Sequence, residues 1–148
     1  MASFLWKLLL NLLCTQERLH RMGPAPSPLC KLCDQSSDGT IIHTFIDCPF
    51  NADVGKKLLH CLQLHTPNIS PESLLRLELP NLEEEMCLPI IQLTAITLSF
   101  IWNRRMTNSK FRAYQVRSEI EQTINLLRTS RLSVVSTKLE ILVNQMFQ

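Results

Sequence analysis

The stretch Ser27–Phe50 reads SPLCKLCDQSSDGTIIHTFIDCPF and contains three of the chain's six cysteines and one of its four histidines. The four side chains follow the pattern Cys-x2-Cys-x9-His-x4-Cys, at Cys30, Cys33, His43 and Cys48. Cysteine sulfur and imidazole nitrogen are the usual ligands of a tetrahedral zinc ion in proteins. The stretch therefore predicts a site in which these four residues bind one zinc ion.

The local sequence also predicts how the last ligand reaches the site. The segment TIIHTF is typical of a short helix, which would begin at Asp38 or Thr40 and turn His43 inward. Cys48 follows five residues later, and five residues of an ideal α-helix rotate about 140° away from the starting face. Because Pro49 disfavours the helical conformation for the residue before it, we expect the helix to unwind before Cys48 and return its thiol toward His43.

Other interpretations of these residues stay open at this stage. The cysteines could be ordinary buried thiols with His43 a core histidine, and His60 or His65 could replace His43 as a ligand. A disulfide is the weaker alternative because the chain shows no secretory signal pattern. The remaining cysteines lie in apolar settings and are expected to be core thiols: Cys14, Cys61 and Cys87.

The ligand set indicates a structural rather than a catalytic metal. Four protein ligands leave no position open for the water molecule that a catalytic zinc ion binds. No glutamate stands beside the ligands as a general base, as one does in the pattern H-E-x-x-H. We therefore predict a structural zinc ion that pins the proline-rich segment GPAPSP to the short helix.

A wider set of residues resembles the zinc-binding domain found at the C-terminus of reverse transcriptases from non-LTR retrotransposons. That family has a helix with a Trp, then R-L-x-R-x-G, C-x2-C and H-x-F-x-x-C-P-F. The matching residues are Trp6, Arg18, Leu19, Arg21 and Gly23 in the lead-in and Cys30, Cys33, His43, Cys48, Pro49 and Phe50 in the core. Later, FIWNRRM looks like the family's helix IW-x-x-RN, with Met106 where Asn is usual.

This resemblance implies the same four zinc ligands and the role of an accessory module of a polymerase polyprotein that contacts nucleic acid. A polymerase site itself needs clustered aspartates that hold two metal ions. This chain has only four aspartates, at positions 34, 38, 47 and 53, and no Tyr-x-Asp-Asp. We therefore predict a fragment or remnant of a reverse transcriptase without enzymatic activity.

The spacing of apolar residues predicts an all-α fold. Leucine recurs throughout, glycine occurs only three times in 148 residues, and apolar residues repeat every three to four positions. We predict a zinc-binding domain of the reverse-transcriptase type at 1–65, in which a zinc knuckle staples the N-terminal helices. A helical C-terminal extension at 66–148 would pack on it. Helix starts are expected at Thr15, Asn51, Ser70 and Asn81, with a break or kink at Pro89.

Apolar stripes mark the inward face of the predicted helices. Their members are Phe4, Leu5, Leu8, Leu9, Leu12 and Leu13; Val54, Leu58, Leu59 and Leu62; Ala113, Val116, Ile120, Ile124 and Leu127; and Leu132, Val135, Leu139, Leu142 and Met146. The last stripe could seal against the domain or pair with another chain. Because it covers only two heptads, packing within the chain is the expected use.

The distribution of charge suggests a nucleic-acid partner. Residues 101–148 carry eight Lys/Arg and three Asp/Glu, whereas residues 51–100 carry three and six. Basic residues bind phosphates, and nearby aromatic residues such as Trp102 and Tyr114 can stack on bases. The predicted contacts to RNA or single-stranded DNA are Arg18, Arg21, Lys31, Arg104, Arg105, Lys110 and Arg112. The alternatives are solvated helix faces with Trp102 in the core, and a zinc-stapled helical protein-interaction or scaffold module without nucleic-acid affinity.

No membrane segment is expected. The N-terminal run MASFLWKLLLNLLC lacks the charged start and the small-residue cleavage site of a signal peptide. The most apolar later stretch, Leu88–Trp102, is too short and too polar to span a bilayer comfortably. We therefore expect an intracellular protein, in the cytoplasm or nucleus, where cysteines stay reduced.

Overall fold

The computed structural model describes residues 2–33, 37–109, 111–128 and 133–148. Within these ranges the chain forms α-helices and one π-helical turn, and it has no β-strand. The elements are α1 Ala2–Leu9, α2 Gln16–Arg21, the π turn His43–Asp47, α3 Ala52–Gln63, α4 Pro71–Leu75, α5 Glu84–Met106, α6 Ala113–Arg128 and α7 Ser133–Met146. The prediction of an all-α fold is confirmed.

Two of the four predicted helix starts have the expected caps. The Thr15 hydroxyl accepts a hydrogen bond from the backbone N–H of Arg18 at 3.4 Å, and α2 begins there. The Ser70 hydroxyl accepts from the Ser73 N–H at 3.1 Å, with Pro71 as the first residue of α4. Both caps satisfy a backbone donor that has no partner within the helix.

The expected helix start at Asn81 and the expected break at Pro89 were wrong. Asn81 has a φ of 58°, in the left-handed region, and α5 instead begins after Glu83, whose side chain makes no cap bond. Pro89 lies inside a continuous helix of 23 residues. The carbonyl that loses its partner to this proline belongs to Glu85, whose turn is exposed to water, while Pro89 itself is buried against the core.

The helix α5 is the centre of the core. It packs against α3, α6 and α7, and α7 also packs against α3 and α6. The buried members of the predicted stripes confirm their inward faces: Val54, Leu58, Leu62, Val116, Ile120, Ile124, Leu139, Leu142 and Met146. Leu132 lies outside the described residues. The stripe of α7 therefore contributes to the core of its own chain. One hydrophobic cluster includes residues on both sides of the predicted boundary at 65, and the division into two domains stays a prediction.

The length of α5 exceeds what the sequence indicated. With 23 residues and a mean hydropathy of 1.5 over its most apolar window, this helix is long and apolar enough to span a bilayer. The expectation that the segment is too short was wrong, because the helix begins at Glu84 rather than near Leu88. Half of that window is buried among the other helices, as in the core helix of a folded domain.

The N-terminal helix is shorter than its apolar stripe. Because α1 ends at Leu9, the later members of the stripe no longer follow a helical face. Phe4, Leu8 and Leu13 are buried, whereas Leu9 and Leu12 are exposed. The prediction for this stripe was therefore only partly right.

The three cysteines outside the zinc pattern differ in burial. Cys61 is fully buried, its thiol donates to the Leu142 carbonyl at 3.5 Å, and burial raises its pKa to about 11. The prediction of a core thiol is confirmed for this residue. It was wrong for Cys14, which is exposed in the connection after α1, and Cys87 is only partly buried.

Gly55 allows α3 to lie directly on the π turn. A Cβ atom at this position would stand 1.9 Å from the Phe45 carbonyl oxygen and 3.0 Å from the Ile46 Cα. Both neighbours are backbone atoms, so neither can move aside as a flexible side chain would. The residue after the first turn of α3 therefore has to be glycine, although glycine is a poor helix former.

We predict that Gly55→Ala destabilises the protein by about 2 kcal/mol, because the added methyl forces α3 off the π turn. Elsewhere in a helix the same change would stabilise by up to about 1 kcal/mol. Urea unfolding followed by circular dichroism measures the difference. The control is Lys56→Ala at the exposed neighbouring position. Equal or greater stability of the Gly55→Ala protein would contradict the close approach of the two backbones.

Candidate metal centre

A short pairing of two chain segments positions the first ligand pair. Leu29 and Asp38 form an isolated antiparallel bridge, and the Cys30 N–H donates to the Ser37 carbonyl at 2.9 Å. The Gly39 N–H donates to the Pro28 carbonyl at 2.8 Å. These bonds hold the Cys-x2-Cys segment against the residues that lead into the π turn.

The helical segment that carries the second pair starts at Thr40. The Thr40 hydroxyl accepts from the His43 N–H at 3.1 Å, and its carbonyl accepts from the Thr44 N–H at 2.9 Å. Of the two caps considered, Thr40 is therefore the one used. Asp38 instead takes part in the bridge to Leu29.

A π-helical turn brings the last ligand back to the site. The Cys48 N–H donates to the His43 carbonyl at 2.8 Å, a bond between residues five apart. This wider turn returns position 48 toward the face of position 43, which an α-helix would not do. The expected unwinding before Cys48 is therefore replaced by a wider turn. Cys48 then leaves the helix with ψ at 123°, as expected for a residue before proline.

The four candidate ligand atoms lie close enough together to bind one zinc ion. All of them lie within 4.8 Å of one another. Zinc–sulfur and zinc–nitrogen bonds of about 2.3 and 2.05 Å give tetrahedral edges of about 3.8 Å between two sulfurs and about 3.6 Å between sulfur and nitrogen. The Cys30 and Cys48 sulfurs are 3.8 Å apart, and the Cys33 sulfur is 3.4 Å from His43 Nε2. The donor set therefore fits zinc.

The same distances decide between the alternatives left open by the sequence, namely a disulfide and a different histidine ligand. A disulfide holds its sulfurs about 2.05 Å apart, whereas the Cys30 and Cys48 sulfurs are 3.8 Å apart and none of Cys30, Cys33 and Cys48 forms a disulfide. His60 is exposed, and His65 Nε2 bonds to the side chain of Gln145 at 3.0 Å. His43 is thus the histidine that joins the cysteines.

The burial of the site agrees with a structural role for the ion. Cys30, His43 and Cys48 are at most 7% exposed, and Cys33 is partly buried. Four protein donors complete a tetrahedron and leave no position for water or substrate. What such a site supplies is a cross-link between the Cys-x2-Cys segment and the π turn.

Sequence reasoning missed the role that two residues have at this centre, since it assigned Arg105 to nucleic-acid binding and Asn51 to a helix cap. Arg105, at the end of α5, donates to the Cys30 sulfur at 3.3 Å and to Asn51 Oδ1 at 3.1 Å. Asn51 was expected to cap α3, but its side chain makes no cap bond and instead donates to the Phe45 carbonyl at 3.1 Å. The only sequence signal for Arg105 is its place in the IW-x-x-R motif.

The surroundings of Cys30 stabilise its thiolate. Burial raises the pKa of the thiol, but the Leu32 backbone N–H, the Arg105 guanidinium and His43 together offset this effect, and the pKa falls to about 6. A low pKa favours the thiolate form that zinc binds. Cys30 is therefore prepared for metal binding, in contrast to Cys61.

The basic residues predicted to contact nucleic acid lie in two groups. On α2, the Arg18 guanidinium donates to the Asn11 carbonyl, and Arg21 pairs with Glu17 at 3.2 Å on the exposed surface. These contacts place both arginines at the surface beside the end of α1. Both arginines of the first group therefore already have partners within the chain.

The second group surrounds the end of α5. Lys31 and Arg112 are exposed, and the Arg104 guanidinium lies 5.0 Å from the centre of the Phe100 ring. Lys110 lies outside the described residues. Arg105 does not belong to this group as a free phosphate ligand, because its guanidinium is committed to the metal centre.

Comparison with known protein families supports the class of site. Residues 1–54 match the family model described as zinc-binding in reverse transcriptase, and the four ligands fall inside the match. The N-terminal part of this chain is thus similar to the zinc-binding segment of reverse transcriptases, and the resemblance noted in the sequence is confirmed. Neither a curated protein nor a solved structure matches the chain significantly.

We predict one zinc ion per chain, and loss of one ligand should weaken its binding by about 100-fold or more. The variants to compare are Cys33→Ser, which removes a ligand, and Cys14→Ser, which removes an exposed thiol outside the site. Metal analysis after dialysis against a chelator of known affinity measures the difference. A Cys33→Ser protein that retains one tightly bound zinc would contradict this ligand set.

We also predict that removing zinc opens the N-terminal third and leaves most of the helical structure. Residues 24–50 contribute few buried apolar side chains, whereas α5, α6 and α7 pack on one another. After chelation, an alkylating reagent should modify Cys30, Cys33 and Cys48 quickly and spare Cys61. Mass spectrometry of the labelled peptides, with circular dichroism, measures this. Rapid labelling of Cys61 would mean that the whole core depends on the metal.

Proposed function

We propose that this chain is a non-catalytic zinc-binding module derived from a retrotransposon reverse transcriptase and that it binds RNA or single-stranded DNA weakly. The observation that carries the proposal is a group of cations around the end of α5, of which Lys31 and Arg112 are exposed and Arg104 is partly exposed. We define the basic surface as Lys31, Arg104 and Arg112, with Lys110 included on the grounds of sequence alone.

Two of these cations lie on chain segments that meet at the zinc centre. Arg105 contacts Cys30, so the last turn of α5, which carries Arg104, lies beside the residue that precedes Lys31. Neither Lys31 nor Arg104 forms an ion pair within the described residues. Their charges are therefore available for phosphates.

Aromatic contacts hold the third cation at the same end of the molecule. The Phe111 ring lies 5.3 Å from Phe100 and 6.4 Å from Phe50, in edge-to-face arrangements. Arg112 follows Phe111 directly and is exposed. Phe50 and Phe111 are only partly buried, which suits rings that can also accept a stacked base.

The two aromatic residues singled out from the sequence have different surroundings. Trp102 is partly buried, with its ring 6.1 Å from Phe45, so its place is against the π turn. Tyr114 is 65% exposed in the first turn of α6, two residues after Arg112. Of the two, we propose Tyr114 as the one that stacks on a base.

The charges support weak binding without strong sequence preference. The chain as a whole carries only two net positive charges, so no large field draws a polyanion to it. Contacts to phosphates release counterions and carry no sequence information. The cations on α2, Arg18 and Arg21, would extend the contact where their bonds to Asn11 and Glu17 can exchange for phosphates.

We further propose that the chain has no enzymatic activity and resides in the cytoplasm or nucleus. A metal centre with four protein donors has no site for a substrate. The three thiolates of that centre are lost on oxidation, so the protein fits a reducing compartment.

We predict that RNA binding weakens steeply with salt and that removing two arginines of the basic surface flattens this dependence. Four phosphate contacts to a single strand, one for each cation of the basic surface, give a log–log slope of about −3, and two lost contacts leave about −1.4. Arg104→Ala/Arg112→Ala should show the flatter slope in fluorescence anisotropy. The control, Lys56→Ala/Arg76→Ala, removes two exposed cations, one in α3 and one directly after α4, and should retain the slope.

A second candidate function is a zinc-stapled protein-interaction or scaffold module without nucleic-acid affinity. The specific observation that favours it is the outer face of α1 and the residue after it, where Trp6, Leu9 and Leu10 are 65%, 45% and 49% exposed. Exposed apolar side chains of this size often mark a protein contact. Absence of RNA binding at low salt, or binding that is indifferent to salt, would favour this function.

A further inference from the structure

We propose that Arg105 is the positioning residue of the zinc centre and that the zinc-binding unit therefore extends from the N-terminal segment to the end of α5. The family match covers residues 1–54, and Arg105 lies far beyond it. Its contact with Cys30 joins residues that are 75 positions apart in the sequence. This inference does not depend on nucleic-acid binding.

The guanidinium of Arg105 contacts both halves of the site. One nitrogen, Nη2, donates to the Cys30 sulfur at 3.3 Å, and the other, Nη1, donates to Asn51 Oδ1 at 3.1 Å. Cys30 belongs to the first ligand pair. Asn51 is connected to the second pair, because its Nδ2 donates to the Phe45 carbonyl inside the π turn.

Asn51 has little freedom to relax if Arg105 is lost. Its side chain is buried, with 4% of its surface exposed, and its backbone N–H donates to the Cys48 carbonyl at 3.0 Å. A buried amide oxygen that loses its donor costs free energy, which a change in the π turn would have to relieve. The ligands His43 and Cys48 lie at the two ends of that turn.

The charge of Arg105 also complements the metal centre. Three thiolates, one neutral histidine and Zn²⁺ leave a single net negative charge, and most of this centre is buried. A buried charge is costly unless an opposite charge and hydrogen bonds compensate it. The half-buried guanidinium supplies both at Cys30.

The two donors explain why this position suits arginine better than lysine. Arginine holds its N–H groups in a rigid planar fork that can reach a sulfur and an oxygen together. A lysine ammonium keeps the charge but is a single point that cannot span both acceptors in the same way. Lysine should therefore restore part of the effect.

The spacing IW-x-x-R also has a physical reason in this structure. Trp102 and Arg105 are three residues apart on α5 and so share one helix face. The Trp102 ring lies 6.1 Å from Phe45, in the π turn, and Arg105 reaches the Phe45 carbonyl through Asn51. One face of α5 thus contacts the π turn through both residues.

The test is zinc affinity in the full chain, measured by competition with a chromophoric chelator. Arg105→Ala should lower the affinity by about 10- to 100-fold, as is usual when an outer partner of a metal ligand is removed. Arg105→Lys should lie between this variant and the unsubstituted protein. The matched control is Arg104→Ala, which removes the neighbouring arginine without touching the ligands and should leave zinc affinity unchanged.

A spectroscopic readout separates this role from a general loss of stability. With Co²⁺ as the probe in place of zinc, the thiolate-to-metal absorption band should move to lower energy in Arg105→Ala, because the sulfur loses a donor that withdraws electron density. The band should not move in Arg104→Ala.

Three outcomes would overturn the proposal. The first is that both Arg105 variants match the unsubstituted protein in zinc affinity and in the cobalt spectrum. The second is that Arg104→Ala lowers the affinity equally. The third is that Arg105→Ala lowers the thermal stability of the metal-free and the zinc-loaded protein by the same amount. If Arg105→Ala fails to fold, the Arg105→Lys variant tests the proposal instead. Full zinc affinity and an unshifted cobalt band in that variant would exclude the two-donor role of Arg105.

Discussion

The backbone hydrogen bond from Cys48 to the His43 carbonyl is the contact on which the metal centre depends. It closes a π-helical turn and so places two ligands, five residues apart, on one side of the chain. Contacts with other parts of the chain also stabilise the turn. Gly55 lets α3 lie on the Phe45 carbonyl, and the Asn51 side chain donates a hydrogen bond to the same carbonyl oxygen. A rare backbone form is thus held by packing rather than by its own preference.

The helix α5 connects this local geometry to the rest of the molecule. Its middle is buried among α3, α6 and α7, and its last turns face the π turn through Trp102 and Arg105. Because α5 contacts both the core and the π turn, a displacement of this helix in the core would also move the residues that contact the zinc ligands. This explains how a zinc-binding segment of 54 matched residues relies on chain that follows it.

The two arginines at the end of α5 have different roles, because only one of them contacts the metal centre. Arg104 and Arg105 are neighbours in sequence, yet one lies over the Phe100 ring and the other donates to the Cys30 sulfur. The metal centre keeps a buried negative charge and needs a cation beside it. Cations that remain exposed nearby are the ones that can serve a polyanionic partner. A count of basic residues therefore overstates the number available for binding.

The sequence by itself determined the all-α class, the stripes of α6 and α7, the caps at Thr15 and Ser70 and the four zinc ligands. These follow from spacings of three to four residues, from short-range capping and from the chemistry of cysteine and histidine, all of which act over a few positions. The extended backbone of Cys48, which follows from Pro49 as the next residue, was predictable for the same reason.

Only the tertiary structure decided the π turn, the uninterrupted course of α5 through Pro89, the exposure of Cys14 and the roles of Asn51 and Arg105. Each of these depends on a neighbour that is distant in sequence or on where a helix ends. The pairing of Arg105 with Cys30 is the clearest case. The residues are 75 positions apart, and nothing in either local sequence specifies which surfaces the packing of α5 will bring together.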